Sequence, residues 1–168
     1  MLTIANQKAK LSAGLLLFSG KRILLLKRVR LSPNGGTWGL PGGQCHPLES
    51  SFQTAVREAE EEIGDIPRNH LIGSVAVQRS HRRYEIFAVR TKKRMRKCWV
   101  PRLNQEHSSF RWVSFKWCLR HMDDLHPVLR QIFKDESGRQ WVLNMRQLQS
   151  SVRIRSDRRS AGHARVLT

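Results

Sequence analysis

The sequence predicts an α/β fold, a mixed β-sheet with helices on both faces. Three observations carry that expectation. Two pairs of β-forming segments, at 11–26 and 70–90, are each joined by a short polar turn. A capped amphipathic helix stands between the pairs, at 50–64. A second helical pattern follows at 125–134.

Residues 11–18 and 22–26 read as strands joined by Ser19, Gly20 and Lys21, a hairpin signal. A polar loop follows at 28–36. In the helix at 50–64, Ser50 is the N-cap and Gln53 completes a capping box, while Gly64 is a natural stop. At about 100° per residue, Phe52, Ala55, Val56, Ala59 and Ile63 gather on one side. Glu58, Glu61 and Glu62, at i, i+3 and i+4, share another side, and Glu60 points away. Segments 70–77 and 84–90 read as a second hairpin connected through 79–83. A short strand is expected at 110–113. Leu125, Val128, Leu129, Ile132 and Phe133 recur at helical spacing, with Pro127 suited to a first turn.

These elements place one domain at 8–134, with a basic extension at 135–168. In that extension Trp141, Val142, Leu143 and Leu148 could pack a short final element. From Ser150 onward the chain is rich in Arg and Ser and reads as a disordered tail.

A chain of 168 residues can bury a real core. Its three cysteines, Cys45, Cys98 and Cys118, are odd in number and lack metal-site spacing. A reducing, intracellular (cytoplasmic) setting is therefore expected. No apolar run approaches bilayer length, so no membrane partner is expected, and residues 1–11 lack the apolar centre of a signal peptide.

The chain holds 31 Lys and Arg against 13 Asp and Glu, yet six of those acids (Glu49, Glu58, Glu60, Glu61, Glu62, Asp65) fall within 49–65. Crowded acids repel unless a cation sits among them, and carboxylate oxygens suit hard divalent metals. A solvated Glu-rich helix face is the other reading. Such faces usually interleave bases at i+4; here Arg57 faces Glu61, and no base is expected within the trio itself.

Ahead of the helix, Gly35, Gly36, Gly39, Gly42 and Gly43 make the backbone pliant, and Pro41 pushes Leu40 towards an extended form. No Gly-Lys-Ser/Thr follows, so this is not a P-loop.

Loop and helix together resemble the signature of the Nudix hydrolase family, G-x5-E-x7-R-E-U-x-E-E-x-G-U, where U is a bulky aliphatic. Its fixed positions are filled by Gly43, Glu49, Arg57, Glu58, Glu61, Glu62 and Gly64. Two aliphatic positions depart: Ala59 is small, and Asp65 stands at the last one, where Ile66 could take over the packing role. The stretch from Trp38 to Gly43 and the later Asn104 to Val113 also look like the family.

The resemblance implies an α/β/α sandwich and cleavage of a pyrophosphate bond in a nucleoside di- or triphosphate derivative, with Mg²⁺ or Mn²⁺ as cofactor. It implies metal ligation by Glu58, Glu61, Glu62 and the carbonyl of Gly43. Arg57 would hold a ligand carboxylate, Glu49 would brace the loop against the helix, and Gly64 would end it. Glu106 is the first candidate for general base; Glu58 and Glu61 are the alternatives. Markers of narrower family types are mostly missing: Arg79 stands where an ADP-ribose type has proline, the NADH-type array is absent, and Tyr84 falls slightly later than the tyrosine of diadenosine polyphosphate hydrolases.

The net charge of +18 is uneven, with ten bases and one acid in 79–102. The centre of that run, Thr91 to Trp99, is expected to form a loop after a strand, near the active face. Arg28, Lys92, Lys93, Arg94 and Arg96 are candidate phosphate-binding residues, with Trp99 as a stacking surface. An RNA 5′ end and a free nucleotide are both candidate substrates. A catalytically silent module that binds nucleic acid or nucleotides is the alternative of a different class. The oligomeric state is not legible.

Overall fold

The computed structural model describes residues 10–148. Its centre is a seven-stranded sheet. Strand β1 (Lys10–Ser19) pairs in parallel with β6 (Arg82–Thr91) along its whole length, Lys10 opposite Arg82 and Ser19 opposite Thr91. The hairpin partner β2 (Arg22–Arg28) meets β1 only near the turn, then pairs with β7 (His107–Ser114) and with the two-residue β3 (Trp38–Gly39). Where β2 leaves β1, the short β4 (Gly42–Gln44) takes its place against Ser12, Ala13 and Gly14. The edge strand β5 (Asn69–Arg79) runs antiparallel to β6. Parallel and antiparallel pairs thus share one sheet, as expected.

Successive residues of β1 and β2 feed opposite faces. Leu16, Phe18, Ile23 and Leu25 belong to one apolar cluster; Leu15, Leu17, Leu24 and Leu26 belong to the other. Both strands read as unbroken apolar runs because helices cover both sides. Helix α1 (Ser51–Ile63) covers one face through Ala55, Ala59 and Ile63. The other face meets α4 (Pro127–Lys134) through Val128, Leu129, Ile132 and Phe133, and α5 (Glu136–Gln147) through Val142. Fully burying one such leucine contributes about 1.5–3 kcal/mol, so Leu24→Ala would cost about 2–5 kcal/mol once the cavity is included.

Helix α1 starts and stops where expected. Ser50 Oγ accepts from Gln53 N, the Gln53 side chain accepts from Ser50 N, and Gly64 closes the helix at φ 74°, with its N–H donated to Glu60 O. Its buried stripe is displaced from the expected one. Phe52 is 38% exposed and packs edge-on against Phe87, and Val56 is only partly buried. Thr54 and Glu62 take up interior places instead. Ile66 is partly buried against the cluster beneath α1 while Asp65 is exposed, so Ile66 does take over the packing that Asp65 cannot supply.

Other boundaries shift. The second hairpin is tighter than 79–83, because Ser80 and His81 alone turn between β5 and β6, with Ser80 at φ 46°. The helix read from Leu125 starts at Pro127; Leu125 is a buried residue before it, and His126 is its N-cap. The basic segment after β6 is not all loop, since Met95–Cys98 forms a short helix, α2. A further short helix, α3 (Phe115–Arg120), follows β7. Most of the expected short final element is the twelve-residue α5, with Val142 buried, Trp141 and Met145 against the core, and Leu148 39% exposed. The expected disordered tail from Ser150 lies outside the described residues. Among the described residues the three cysteines are free, and no helix is long and apolar enough to cross a membrane.

Candidate active site

Gly43 lies on β4, and α1 passes directly above it. A Cβ at Gly43 would fall on the carboxylate of Glu58 and displace that side-chain tip, so the glycine gives Glu58 its present place against β4. Helix α1 then delivers Glu58, Glu61 and Glu62 to very different surroundings. The Glu61 side chain is 58% exposed, whereas Glu62 as a residue is 3% exposed. The Glu62 carboxylate accepts from Gly42 N at 2.9 Å. Burial above all, with the charges of Glu106 and Glu58 adding to it, pushes its carboxyl up to about 8. His107 Nε2 lies 4.0 Å from Glu62. Burial, and then the charge of Arg28, hold His107 down at about 4, so at neutral pH the imidazole is uncharged and this contact is not an ion pair.

Arg57 organises the rest, and here the geometry corrects the expectation that no base sits within the acidic trio. Its Nη1 donates to Glu58 Oε1 at 2.9 Å and to Glu61 Oε1 at 3.2 Å. Its Nε donates to Glu49 Oε1 at 2.8 Å and its Nη2 to Glu49 Oε2 at 3.1 Å. Glu49 Oε2 also accepts from Thr54 Oγ1 at 2.9 Å, tying the loop before α1 to its first turn. The Arg57 contact is the main reason the Glu49 carboxyl is lowered to about 2. Gly64 sits under the Arg102 side chain at the far end of α1.

Glu106 reaches the same region from the loop before β7. Arg28 Nη2 donates to Glu106 Oε2 at 3.3 Å, and Val29 N donates to Glu106 O at 2.9 Å. Asn104 N donates to Glu62 O at 3.2 Å, which fastens this loop to α1. The Glu106 side chain is 57% exposed and open to a ligand.

A cleft of about 630 Å³ opens beside Gly42 and Gly43. Arg28 and Asn34 line one wall, the hairpin tip with Arg79, Arg82 and Arg83 another, and His126 a third. Tyr84 forms part of its floor, with its hydroxyl packed against Gly14 and Gly42. Asn34, at φ 56°, has its side-chain amide 3.3 Å from His126 Nε2. Burial first, then Arg28 and Arg79, lower His126 to about 4.

The remaining candidates are not brought here. The expectation that the centre of the basic run lies close to the active face is overturned by the register. Lys92, Lys93 and Arg94 follow Thr91, which pairs with Ser19, whereas Gly43 pairs with Ala13 at the other end of β1. Six residue steps separate those positions, about 20 Å at roughly 3.3 Å per residue. Arg96 belongs to α2 on the same segment. Trp99 packs edge-on against Trp112 and donates its Nε1 to Asp65 O at 3.1 Å. Sequence reasoning missed Tyr84, His107, His126 and Asn34. Tyr84 had one usable signal, its period-two spacing with Ile86 and Ala88.

Among the described residues no three His, Cys, Asp or Glu side chains converge as a ready metal-ligand set, and Glu58 and Glu61 are both engaged by Arg57. The donor chemistry nonetheless fits a hard divalent cation: three carboxylates on one helix, one of them closely packed against the backbone of Gly43.

A relative from Mycobacterium tuberculosis is 48% identical over 58 residues, 32% of this chain and 27% of the relative. The 8-oxo-dGTP diphosphatase of Proteus vulgaris is 32% identical over 72 residues, 42% of this chain and 64% of that protein. The chain thus spans between about a quarter and two thirds of these relatives' length. The crystal structure of a MutT protein from Methanosarcina mazei superposes with a TM-score of 0.57 at 27% identity, covering 74% of this chain and 90% of that one. The NUDIX domain model matches residues 8–135, and with the box from Gly43 to Gly64 in place on β4 and α1, this chain belongs to the Nudix family.

Proposed function

We propose that the chain is a divalent-metal-dependent pyrophosphohydrolase of nucleoside di- or triphosphate derivatives. The observation that carries this reading is the meeting of Gly43 with Glu58, beside buried Glu62, at the edge of a cleft bordered by Arg28, Arg79, Arg82 and Arg83. Glu58, Glu61, Glu62 and the Gly43 carbonyl would hold Mg²⁺ or Mn²⁺. When bound, such an ion neutralises pyrophosphate oxygens and makes a water acidic enough to attack. The arginines attract and orient the phosphates. Arg57, anchored by Glu49, sets the positions of Glu58 and Glu61. Glu106, held by Arg28 and open to solvent, accepts the proton of the attacking water, with Glu58 and Glu61 as the alternative bases.

Among substrates, relatives of this domain include a protein named for 8-oxo-dGTP, and a free nucleoside triphosphate fits a cleft of about 630 Å³. An RNA 5′ end is the second reading, favoured by the three arginines of the hairpin tip beside the cleft. The test is pyrophosphate and phosphate release over a panel of dGTP, 8-oxo-dGTP, triphosphorylated RNA and capped RNA, with Mg²⁺ or Mn²⁺ and with EDTA. Metal-dependent release from at least one of them is expected. No release from any of them, together with tight nucleotide or RNA binding, would replace this reading by a catalytically silent binding module.

A further inference from the structure

The basic run at 79–102 is divided by β6 into two cationic surfaces. Arg79, Arg82 and Arg83 line the cleft, whereas Lys92, Lys93 and Arg94 leave the opposite end of the strand. Nine residue steps lie between Arg82 and Thr91, about 30 Å at roughly 3.3 Å per residue. Pairing of Ser19 with both Arg22 and Thr91, and of Asn69 with Thr91, carries Lys21, Arg22 and Arg68 to that same far end. Among the described residues none of these six cations makes an ion pair.

This surface is built, not loose. The buried Ser19 hydroxyl shares its hydrogen between Lys92 O at 3.1 Å and Lys93 O at 3.0 Å, and accepts from Arg96 N at 3.4 Å. Thr91 Oγ1 donates to Phe18 O at 3.3 Å. Pinning the backbone keeps like charges together that would otherwise spread apart. An anionic ligand repays that repulsion. Helix α2 is a single turn, Met-Arg-Lys-Cys, too short to lay an amphipathic face on a lipid surface. Half-buried Trp99 beside it offers a ring on which a base can stack.

We propose that this end of the sheet is a second anion surface that takes the sugar–phosphate backbone of single-stranded nucleic acid whose 5′ phosphates occupy the cleft. The inference rests on the cleft being the phosphate site. A free nucleotide cannot touch both surfaces. At about 3.4 Å per stacked nucleotide, roughly nine residues of strand span them.

The test is equilibrium binding of 5′-phosphorylated, fluorescently labelled single-stranded RNA, a trinucleotide against a twelve-nucleotide strand, in EDTA so that turnover plays no part. The longer strand is expected to bind at least tenfold more tightly. Lys92→Gln, Lys93→Gln and Arg94→Gln together should remove that gain and flatten the log–log salt dependence by about two, at roughly 0.7 per phosphate contact. Lys21→Gln with Arg22→Gln should act in the same direction from the other side of the turn. Equal binding of the two lengths by the unaltered protein overturns the proposal even if a variant fails to fold. An unchanged salt slope in a folded variant does so too, as does capture of anionic phospholipid vesicles in place of RNA. A chain that shows the length effect but releases no pyrophosphate fails the catalytic reading alone.

Discussion

The guanidinium of Arg57 and the carboxylate of Glu49 form a two-point ion pair, Nε to Oε1 at 2.8 Å and Nη2 to Oε2 at 3.1 Å. That pair leaves Arg57 Nη1 aimed at Glu58 and Glu61. One side chain therefore sets two of the proposed ligands, and a second sets the first.

Arg57→Lys should show this dependence. Lysine carries a point charge and cannot hold three carboxylates in fixed directions. Misplacing ligands by about 1 Å costs roughly 10²-fold in rate, so kcat should fall by about that factor. Stability should change by no more than about 1 kcal/mol, because the pair is partly solvated. Steady-state kinetics with a thermal melt separates the two effects; a large melting shift with unchanged kcat would contradict the assignment.

Glu49→Gln should alter acid sensitivity in a defined direction. The folded carboxyl is lowered to about 2, chiefly by its hydrogen bonds from Arg57. Its stabilisation is therefore present above the ordinary carboxylate value and is lost as pH falls towards 2. Unfolding midpoints recorded from pH 5 to 2 should fall less steeply in the Gln variant than in the unaltered chain.

Glu61→Gln tests ligation without disturbing packing, since Glu61 is the exposed member of the trio. Turnover should be abolished while the melting temperature in EDTA stays within about 2 °C, as expected of a surface change under about 0.5 kcal/mol. Mg²⁺ or Mn²⁺ should raise the melting temperature of the unaltered chain by mass action and raise that of the variant less. Retained turnover would remove Glu61 from the ligand set.

Histidine burial gives a second pH dependence. His126 is lowered to about 4, so the native protein keeps it neutral where the unfolded chain already binds a proton. The unfolded state then binds more protons, and stability drops as pH falls from about 6.5 to 4, by at most about 1.36 kcal/mol per pH unit for one group. His107 has the same sign. His126→Asn keeps an N-cap acceptor for Val128 N, so stability from urea unfolding at pH 7, 6 and 5 should fall less steeply in the variant than in the unaltered chain. Glu62, whose carboxyl is raised by burial, slopes the opposite way in both proteins.

What was legible in the sequence is what is close in sequence. The box spans one glycine loop and one helix, so the spacing of Gly43, Glu49, Arg57, Glu58, Glu61, Glu62 and Gly64 places those backbones nearly unaided. The direction of Arg57 was not legible, because i+4 pairing with Glu61 does not say that the same nitrogen also meets Glu58. Nor was the Arg28–Glu106 pair, whose members lie 78 residues apart. The run 79–102 read as one basic surface because its ten bases lie close in sequence. Strand β6 extends through it and carries the two ends apart. Phe52 kept helical phase with Ala55 and Ala59 yet stands in the first turn, 38% exposed and edge-on to Phe87.

The division of that run yields the last prediction, on free nucleotides. Arg79, Arg82 and Arg83 line the cleft, but Arg83 already donates to Glu85, at 2.9 Å from its Nε. Arg79 and Arg82 are therefore the freer phosphate partners. A hydrogen bond to a charged group contributes about 1.5–3 kcal/mol net, so Arg82→Gln should raise KM for a nucleoside triphosphate by roughly 10- to 100-fold with kcat little changed, if Arg82 binds ground state and transition state alike. The same loss of charge at Lys116, exposed on α3 outside the cleft, is the control for long-range attraction. An equal rise in KM from Lys116→Gln would mean that the field of a strongly basic protein, not contact at the hairpin tip, draws the nucleotide in, and repeating both measurements at 0.5 M salt would separate the two, because screening removes the field and spares the contact.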